Sequence, residues 1–224
     1  MNIHRQRRIQ LFESLLREHP ATPIRILDVG GDAAFWKDTN FWNNPRYQIT
    51  VSNIDFESEA RQYLDEHKPT NVDWVYGDAL DLAGVLQNGY DVLFSNSVIE
   101  HVGGLAEMGV MARQFEAFEG GYFLQTPNLW FPIEPHFRFP FFGLLPYGVR
   151  VLLMRCMKLG CYHRARTWAE ARAKVDTTRL LSAREMKRLF PSAVLLRERW
   201  FGFTKSLYVH TLSRPEGGGS GDPD

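Results

Sequence analysis

The sequence contains few cysteines and no long apolar run. Cys156 and Cys161 are the two cysteines among 224 residues, too few for the disulfide framework of a small secreted domain. A metal site would need further ligands, so we expect two free thiols and no metal. Residues 1–19 are charged throughout and predict no signal peptide, and no later segment predicts a membrane span. These absences predict a cytoplasmic protein.

The chain also lacks a net charge. Its 26 Lys and Arg residues balance its 26 Asp and Glu residues, which removes any general electrostatic argument for a nucleic acid partner. A hydrophobic content of 44% over 224 residues is sufficient for a full core. We predict one domain over residues 1–213 and a disordered tail over residues 214–224, where aliphatic and aromatic residues are absent.

Paired glycines follow the first predicted strand. Residues 25–36 read RILDVGGDAAFW, in which a β-branched run and an acid precede Gly30 and Gly31. Glycine allows a sharp turn and lets a ligand approach the backbone. The next predicted strand, QITVSNID, ends in Asp55, which could accept hydrogen bonds from two ribose hydroxyls. The spacing suits dinucleotide and S-adenosyl cofactors equally, and an ordinary tight turn with an exposed acid is the other interpretation.

The third glycine of the GxGxxG pattern is absent. That glycine holds a pyrophosphate at the helix N-terminus, and this chain has Asp32, Ala33 and Ala34 in the region instead. A carboxylate there repels a diphosphate but is tolerated beside a sulfonium or an amino group. A nicotinamide-dependent oxidoreductase is therefore disfavoured.

Polar residues also follow the next two predicted strands. In VDWVYGDAL the predicted strand ends in residues 77–79, where Asp78 can accept from an adenine amino group. In YDVLFSNSVIEHV the predicted strand covers residues 91–95 and leads into a polar cluster, residues 95–97, before a helix. Ligands of open α/β sheets bind beyond the carboxyl ends of the strands, so these residues should line one crevice. We predict eight cofactor-binding residues: Asp28, Gly30, Gly31, Asp55, Asp78, Ala79, Ser95 and Asn96.

The series LDVGG, SNID, GDAL and DVLFSNSVIEHV, in this order and spacing, resembles the class I S-adenosylmethionine-dependent methyltransferases. Two later stretches, QTPNLWFPIEPHFRFPFFGLLP and FPSAVLLRERWFGFTKSL, look like a bacterial subgroup associated with glycan or secondary-metabolite biosynthesis. The resemblance extends from about residue 25 to residue 210. It implies S-adenosyl-L-methionine as the cofactor. It also implies an α/β, Rossmann-like fold with a seven-stranded, mostly parallel sheet, a C-terminal antiparallel hairpin and an insert after the fifth strand.

The first motif of the chain departs from the usual DxGxG. Asp28, Gly30 and Gly31 are followed by Asp32, which changes the loop that carries the methionine moiety. A non-catalytic methyltransferase-fold partner or regulatory protein is therefore the alternative hypothesis.

Residues 127–180 are predicted to form an insert or lid on the substrate side. Residues 135–169 contain no acid, while six basic residues accompany the apolar stretches FPFFGLLP and VRVLLM. This composition predicts an acceptor with apolar and anionic parts, or a peripheral contact with an anionic membrane or a lipid-linked acceptor. The alternative is a lid packed on its own domain, with arginine stems lying on apolar surface.

The IEPHF segment carries the catalytic candidates. Methyl transfer from a sulfonium needs mainly alignment and desolvation, but a hydroxyl acceptor must also lose a proton. His136, in a loop bracketed by prolines, is suited to accept that proton near neutral pH, and Glu134 could orient it or act as the base. Glu100 and His101 either cap the following helix or face the acceptor. The predicted activity is O-methylation of a small-molecule or glycan-type acceptor.

Overall fold

A single seven-stranded sheet organises the protein, whose computed structural model describes residues 3–55 and 57–212. The predicted tail lies outside the described residues. The strands are β1 (Ile24–Val29), β2 (Tyr47–Asn53), β3 (Val72–Tyr76), β4 (Val92–Asn96), β5 (Gly121–Pro127), β6 (Val194–Trp200) and β7 (Phe203–His210). The helices are α1 (Ile3–Leu15), α2 (Ala33–Trp36), α3 (Glu57–His67), α4 (Ala83–Leu86), α5 (Leu105–Glu116), α6 (Tyr147–Cys156), α7 (Trp168–Asp176) and α8 (Ala183–Leu189).

The strand order β3-β2-β1-β4-β5-β7-β6 confirms the predicted fold class. Strands β1 to β5 pair in parallel, whereas β7 is antiparallel to both β5 and β6. Phe201 and Gly202 form the tight turn of the β6-β7 hairpin, with φ of 48° and 79°. The chain reverses its direction of winding between β1 and β4, so a crevice opens there at the carboxyl ends of the strands.

Helix α1 packs its apolar stripe on one face of the sheet. Ile9, Phe12 and Leu15 are buried, as the helical spacing of these side chains predicts. The Phe12 ring contacts those of Phe94 and Phe123, with centroids 4.8 and 5.3 Å apart. Fully burying one such ring contributes about 2 to 3 kcal/mol. Helix α1 is therefore packed against β4 and β5.

The segment of residues 127–180 contains α6 and α7 and packs around a small core of its own. Phe137 stacks on Phe142 with ring centroids 4.0 Å apart, and Val151, Met154 and Val175 complete the centre of this core. The segment thus has its own core, while its boundaries and its use as a lid stay predictions.

The described residues include no helix with the length and apolar character needed to cross a membrane. Cys156 and Cys161 are both exposed free cysteines, as expected.

Candidate functional site

The turn after β1 requires glycine at two successive positions. Gly30 has a φ of 71°, and its N–H donates to the Ser52 carbonyl at 2.7 Å. A Cβ at Gly30 would lie 2.5 Å from Val98 Cγ1, and a Cβ at Gly31 would lie 1.9 Å from Asp28 Oδ2. The turn therefore places backbone where side chains cannot fit, at the mouth of the crevice.

Asp28 lies directly beneath this turn. Its Oδ2 accepts a hydrogen bond from Trp36 Nε1 at 2.8 Å, and its buried Oδ1 has no hydrogen-bond partner among the described residues. Burial raises the pKa of Asp28 to about 7, although the hydrogen bond from Trp36 acts in the opposite direction. The carboxyl group thus fixes the end of α2 against the end of β1.

Two adjoining cavities lie over the carboxyl ends of the strands. One has a volume of about 610 Å³ and the other about 420 Å³, and Gly30, Asn53 and Asp55 line both. Asp55 is exposed at their junction. Seven of the eight predicted cofactor residues line these cavities: Asp28, Gly30, Gly31, Asp55 and Asn96 the larger one, and Gly30, Asp55, Asp78 and Ala79 the smaller.

Ser95 is the exception among the predicted residues. It is buried, it lines neither cavity, and its hydroxyl donates to the Val29 carbonyl at 3.1 Å. The sequence pattern ended β4 at Ser95, whereas the strand continues to Asn96. Ser95 therefore lies inside the sheet and joins β4 to β1, while Asn96 is the residue that reaches the larger cavity.

Two arginines of α1 belong to this region and were missed by sequence reasoning. Arg5 lines the larger cavity and donates to the Phe35 carbonyl, and its guanidinium lies 4.3 Å from the centroid of the Phe35 ring. Arg8 donates to Asn96 Oδ1. The spacing of Arg5 and Arg8 places them on one helix face, but their distance in sequence from the glycine turn hid the connection.

Asp78 is positioned by its own turn. Its Oδ1 accepts a hydrogen bond from the Leu80 N–H at 2.8 Å, which fixes the carboxyl group at the wall of the smaller cavity. Its second oxygen remains available to a donor in that cavity.

The predicted catalytic residues Glu134 and His136 form a close pair. Glu134 Oε1 lies 2.7 Å from His136 Nδ1, and Glu134 Oε2 accepts a hydrogen bond from the Phe137 N–H. Burial lowers the pKa of His136, but Glu134 and Glu100 outweigh it, and the pKa is raised above its usual value. The buried carboxyl group thus fixes the orientation of a half-buried imidazole.

Glu100 and His101 lie beside this pair, in a short 3-10 turn directly after β4. Glu100 is fully buried, and its Oε2 accepts a hydrogen bond from Thr126 Oγ1 at 2.9 Å. Burial raises the pKa of Glu100 to about 7, although its hydrogen bonds lower it. The rings of His101 and His136 meet edge to face with centroids 4.8 Å apart.

The helix-capping role considered for Glu100 belongs to another residue. Glu107 Oε2 accepts a hydrogen bond from the Gly104 N–H at 2.9 Å at the start of α5. His101 instead lines the smaller cavity together with Gly30 and Asp78. The histidine cluster and the crevice of the glycine turn are therefore parts of one site.

No protein-family model matches the chain, and no curated protein matches it. Solved structures do match over most of its length. The N-terminal domain of EvdMO1 with SAH bound is 16% identical to this chain and superposes with a TM-score of 0.56. The alignment covers 96% of this chain and 83% of the EvdMO1 chain. Magnesium protoporphyrin IX methyltransferase (ChlM) from Synechocystis PCC 6803 with bound SAH is 13% identical, with coverages of 92% and 82% and a TM-score of 0.53.

The N-methyltransferase NodS from Bradyrhizobium japonicum WM9, in complex with S-adenosyl-L-homocysteine (SAH), is 12% identical. The alignment covers 92% of this chain and 85% of the NodS chain, with a TM-score of 0.52. At sequence identities this low, the matches show a similar fold and no more. The chain therefore has the α/β fold of these three SAH-bound structures, two of which are methyltransferases, as its motifs predict.

Proposed function

We propose that the protein is an S-adenosylmethionine-dependent methyltransferase that acts on a hydroxyl of a small-molecule or glycan-type acceptor. The observation that carries the proposal is the pair of adjoining cavities over the glycine turn, with the Glu134–His136 pair and His101 grouped beside them. The structures of similar fold that contain SAH support the choice of cofactor.

The crevice suits a nucleoside cofactor with an amino acid part. Gly30 and Gly31 line the larger cavity without side chains, so a ligand could contact the backbone there. Asp55, exposed at the junction of the cavities, would accept from the ribose hydroxyls, and Asp78 from the adenine amino group. The larger cavity, with Arg5 among several acids, would hold the zwitterionic methionine part.

S-adenosylmethionine, when bound, supplies a methyl group on a sulfonium with a good leaving group. The protein has to align the acceptor, exclude water and remove a proton from the hydroxyl. Nδ1 of His136 is occupied by Glu134, so Nε2 is the nitrogen that would accept the proton from the acceptor. General base catalysis of this kind contributes about 10² to 10⁴ in rate.

For the acceptor we propose an apolar part presented at an anionic membrane surface. The tip of the β6-β7 hairpin carries exposed Trp200, Phe201 and Phe203, and Phe201 is 83% exposed. Lys205 Nζ lies 5.8 Å from the Trp200 ring centroid. Aromatic side chains with nearby cations suit the lipid headgroup region. The same edge of the sheet carries the site, which would place a lipid-linked acceptor near the cofactor.

The aspartate that favours the non-catalytic alternative has a structural use. Asp32 is the N-cap of α2, and its Oδ1 accepts a hydrogen bond from the Ala34 N–H at 3.0 Å. The N-cap hydrogen bond explains the presence of Asp32 after the glycine pair, so the aspartate does not by itself favour a non-catalytic protein. The exposed free cysteines suit a reducing compartment, and we propose that the reaction takes place in the cytoplasm.

Calorimetric titration with SAH tests the proposal. Binding of SAH and not of a nicotinamide dinucleotide is the expected result. A folded protein that binds neither would support the non-catalytic alternative, and one that binds only the dinucleotide would support an oxidoreductase.

A further inference from the structure

Three potential metal ligands meet beside the crevice. Glu100, His101 and His136 each offer one ligand atom, and these atoms all lie within 4.8 Å of one another. Glu100 is buried, His136 is half-buried and His101 is exposed, so the group has a closed side inside the protein and an open side at the smaller cavity.

The histidine rings are oriented as metal ligands are. His101 Nδ1 lies 3.0 Å from the Thr177 carbonyl, and His136 Nδ1 lies 2.7 Å from Glu134 Oε1. A carbonyl or an ionised carboxylate can only accept, so in the neutral form of each imidazole Nδ1 carries the proton and Nε2 keeps a lone pair. Metal-binding histidines commonly donate their second ring N–H to a carbonyl or carboxylate in this way.

Glu100 supplies an independent observation. Its side chain is 0% exposed, Oε2 accepts from Thr126 Oγ1, and the buried Oε1 has no hydrogen-bond partner among the described residues. A buried carboxylate oxygen without a partner is costly unless a proton or a metal cation neutralises it. His101 and His136 each have a ring nitrogen within 4.8 Å of an oxygen of that carboxyl group.

We propose that Glu100, His101 and His136 bind one divalent transition-metal ion, with open coordination positions facing the smaller cavity. Two imidazole nitrogens and one carboxylate suit Zn²⁺, Fe²⁺, Co²⁺, Ni²⁺ or Mn²⁺ better than Mg²⁺, which prefers oxygen ligands. Ligand atoms about 2.1 Å from one ion lie roughly 3 to 4 Å apart, so the group must close by about 1 Å. Small shifts of the exposed His101 side chain that keep its hydrogen bond to the Thr177 carbonyl would provide this movement.

The role of the ion rests on the proposed function, whereas its binding does not. A hydroxyl of the acceptor at an open position would release its proton to solvent, because the cation stabilises the oxyanion. The methyl carbon then forms a bond to that oxygen as the carbon–sulfur bond breaks, and the electron pair of that bond remains on sulfur. With the ion bound, His136 would be a metal ligand. The cation would then promote loss of the hydroxyl proton, which His136 accepts as a base when no ion is bound.

Titration of the purified, chelator-treated, untagged protein with Co²⁺ alone tests the inference, because bound Co²⁺ changes its visible absorption. We expect one ion per chain. His101→Ala and Glu100→Gln should each weaken binding at least tenfold, while His163→Ala, an exposed histidine of the insert, should not change it. His101 is exposed, so its variant does not depend on refilling a core.

Absence of stoichiometric Co²⁺ and Zn²⁺ binding by the wild-type protein would overturn the inference. Unchanged affinity in both His101→Ala and Glu100→Gln would also overturn it. SAH binding, measured on the same metal-free samples, separates the two proposals. Loss of metal binding with intact SAH binding contradicts the metal site alone, and metal binding without SAH binding contradicts the proposed function alone.

Discussion

Trp36 Nε1 donates a hydrogen bond to Asp28 Oδ2 at 2.8 Å, which joins the last residue of α2 to the end of β1. Both side chains are buried, and the carboxyl group lies below Gly31. The glycine turn therefore packs directly on the buried carboxyl group of Asp28.

This arrangement predicts that Asp28 makes stability depend on pH. The pKa of Asp28 is raised from 3.8 to about 7 by burial, so the folded chain holds a proton that the unfolded chain loses first. The free energy of unfolding should then fall as pH rises from about 4 to 7. Asp28→Asn keeps an acceptor for Trp36 and removes this dependence.

Urea unfolding of both proteins at pH 5 and pH 8 measures the effect. The variant should gain up to about 3 kcal/mol relative to the wild type between the two values. The comparison between the two proteins cancels the contribution of Glu100, whose pKa is raised in the same direction. A difference that does not vary with pH would show that Asp28 stays charged in the folded protein.

Asp55→Ala should weaken the binding of S-adenosylmethionine and of SAH. Loss of an acceptor for the ribose hydroxyls should cost about 1.5 to 3 kcal/mol, or roughly one to two decades in affinity. Calorimetry measures both ligands. Asp65→Ala, an exposed aspartate of α3 that lines neither cavity, is the matched control. Equal affinities in the two variants would remove Asp55 from the site.

His136→Asn should lower turnover by about two to four decades with nearly unchanged affinity for SAH. Asparagine keeps a hydrogen-bonding side chain, but it cannot accept a proton at neutral pH. Release of SAH from S-adenosylmethionine in the presence of hydroxyl acceptors measures turnover, and His163→Asn provides the control. Near-normal turnover would show that His136 only positions the acceptor, and Glu134 would become the better candidate for the base.

The exposed hairpin tip should mediate binding to anionic vesicles. The wild-type protein should sediment with vesicles that contain anionic lipid and be released as salt rises, because screening weakens the attraction of nearby cations. Phe201→Ser should reduce sedimentation. Tyr76→Ser, at an aromatic residue of β3 that is 66% exposed, should not. Equal, negligible sedimentation with neutral and anionic vesicles would contradict the membrane contact and favour a soluble acceptor.

Sequence alone predicted the parts of the protein that depend on neighbouring residues. A β-branched run located the first strand, the family resemblance implied the β6-β7 hairpin, and the glycine pair located the turn beneath which Asp28 is buried. The carboxyl-end rule then brought Asp55 and Asp78 to one crevice, because parallel strands end at the same edge. These features follow from local geometry and a single topological rule.

Tertiary structure decided which distant side chains meet. Strand β4 is one residue longer than predicted, so Ser95 lies inside the sheet and Asn96 reaches the larger cavity. There Asn96 accepts a hydrogen bond from Arg8 of α1. Glu100 and His136 come together because the insert folds back over the carboxyl end of β4. Sequence periodicity does not predict such contacts, because they depend on how α1 and the insert pack against the completed sheet.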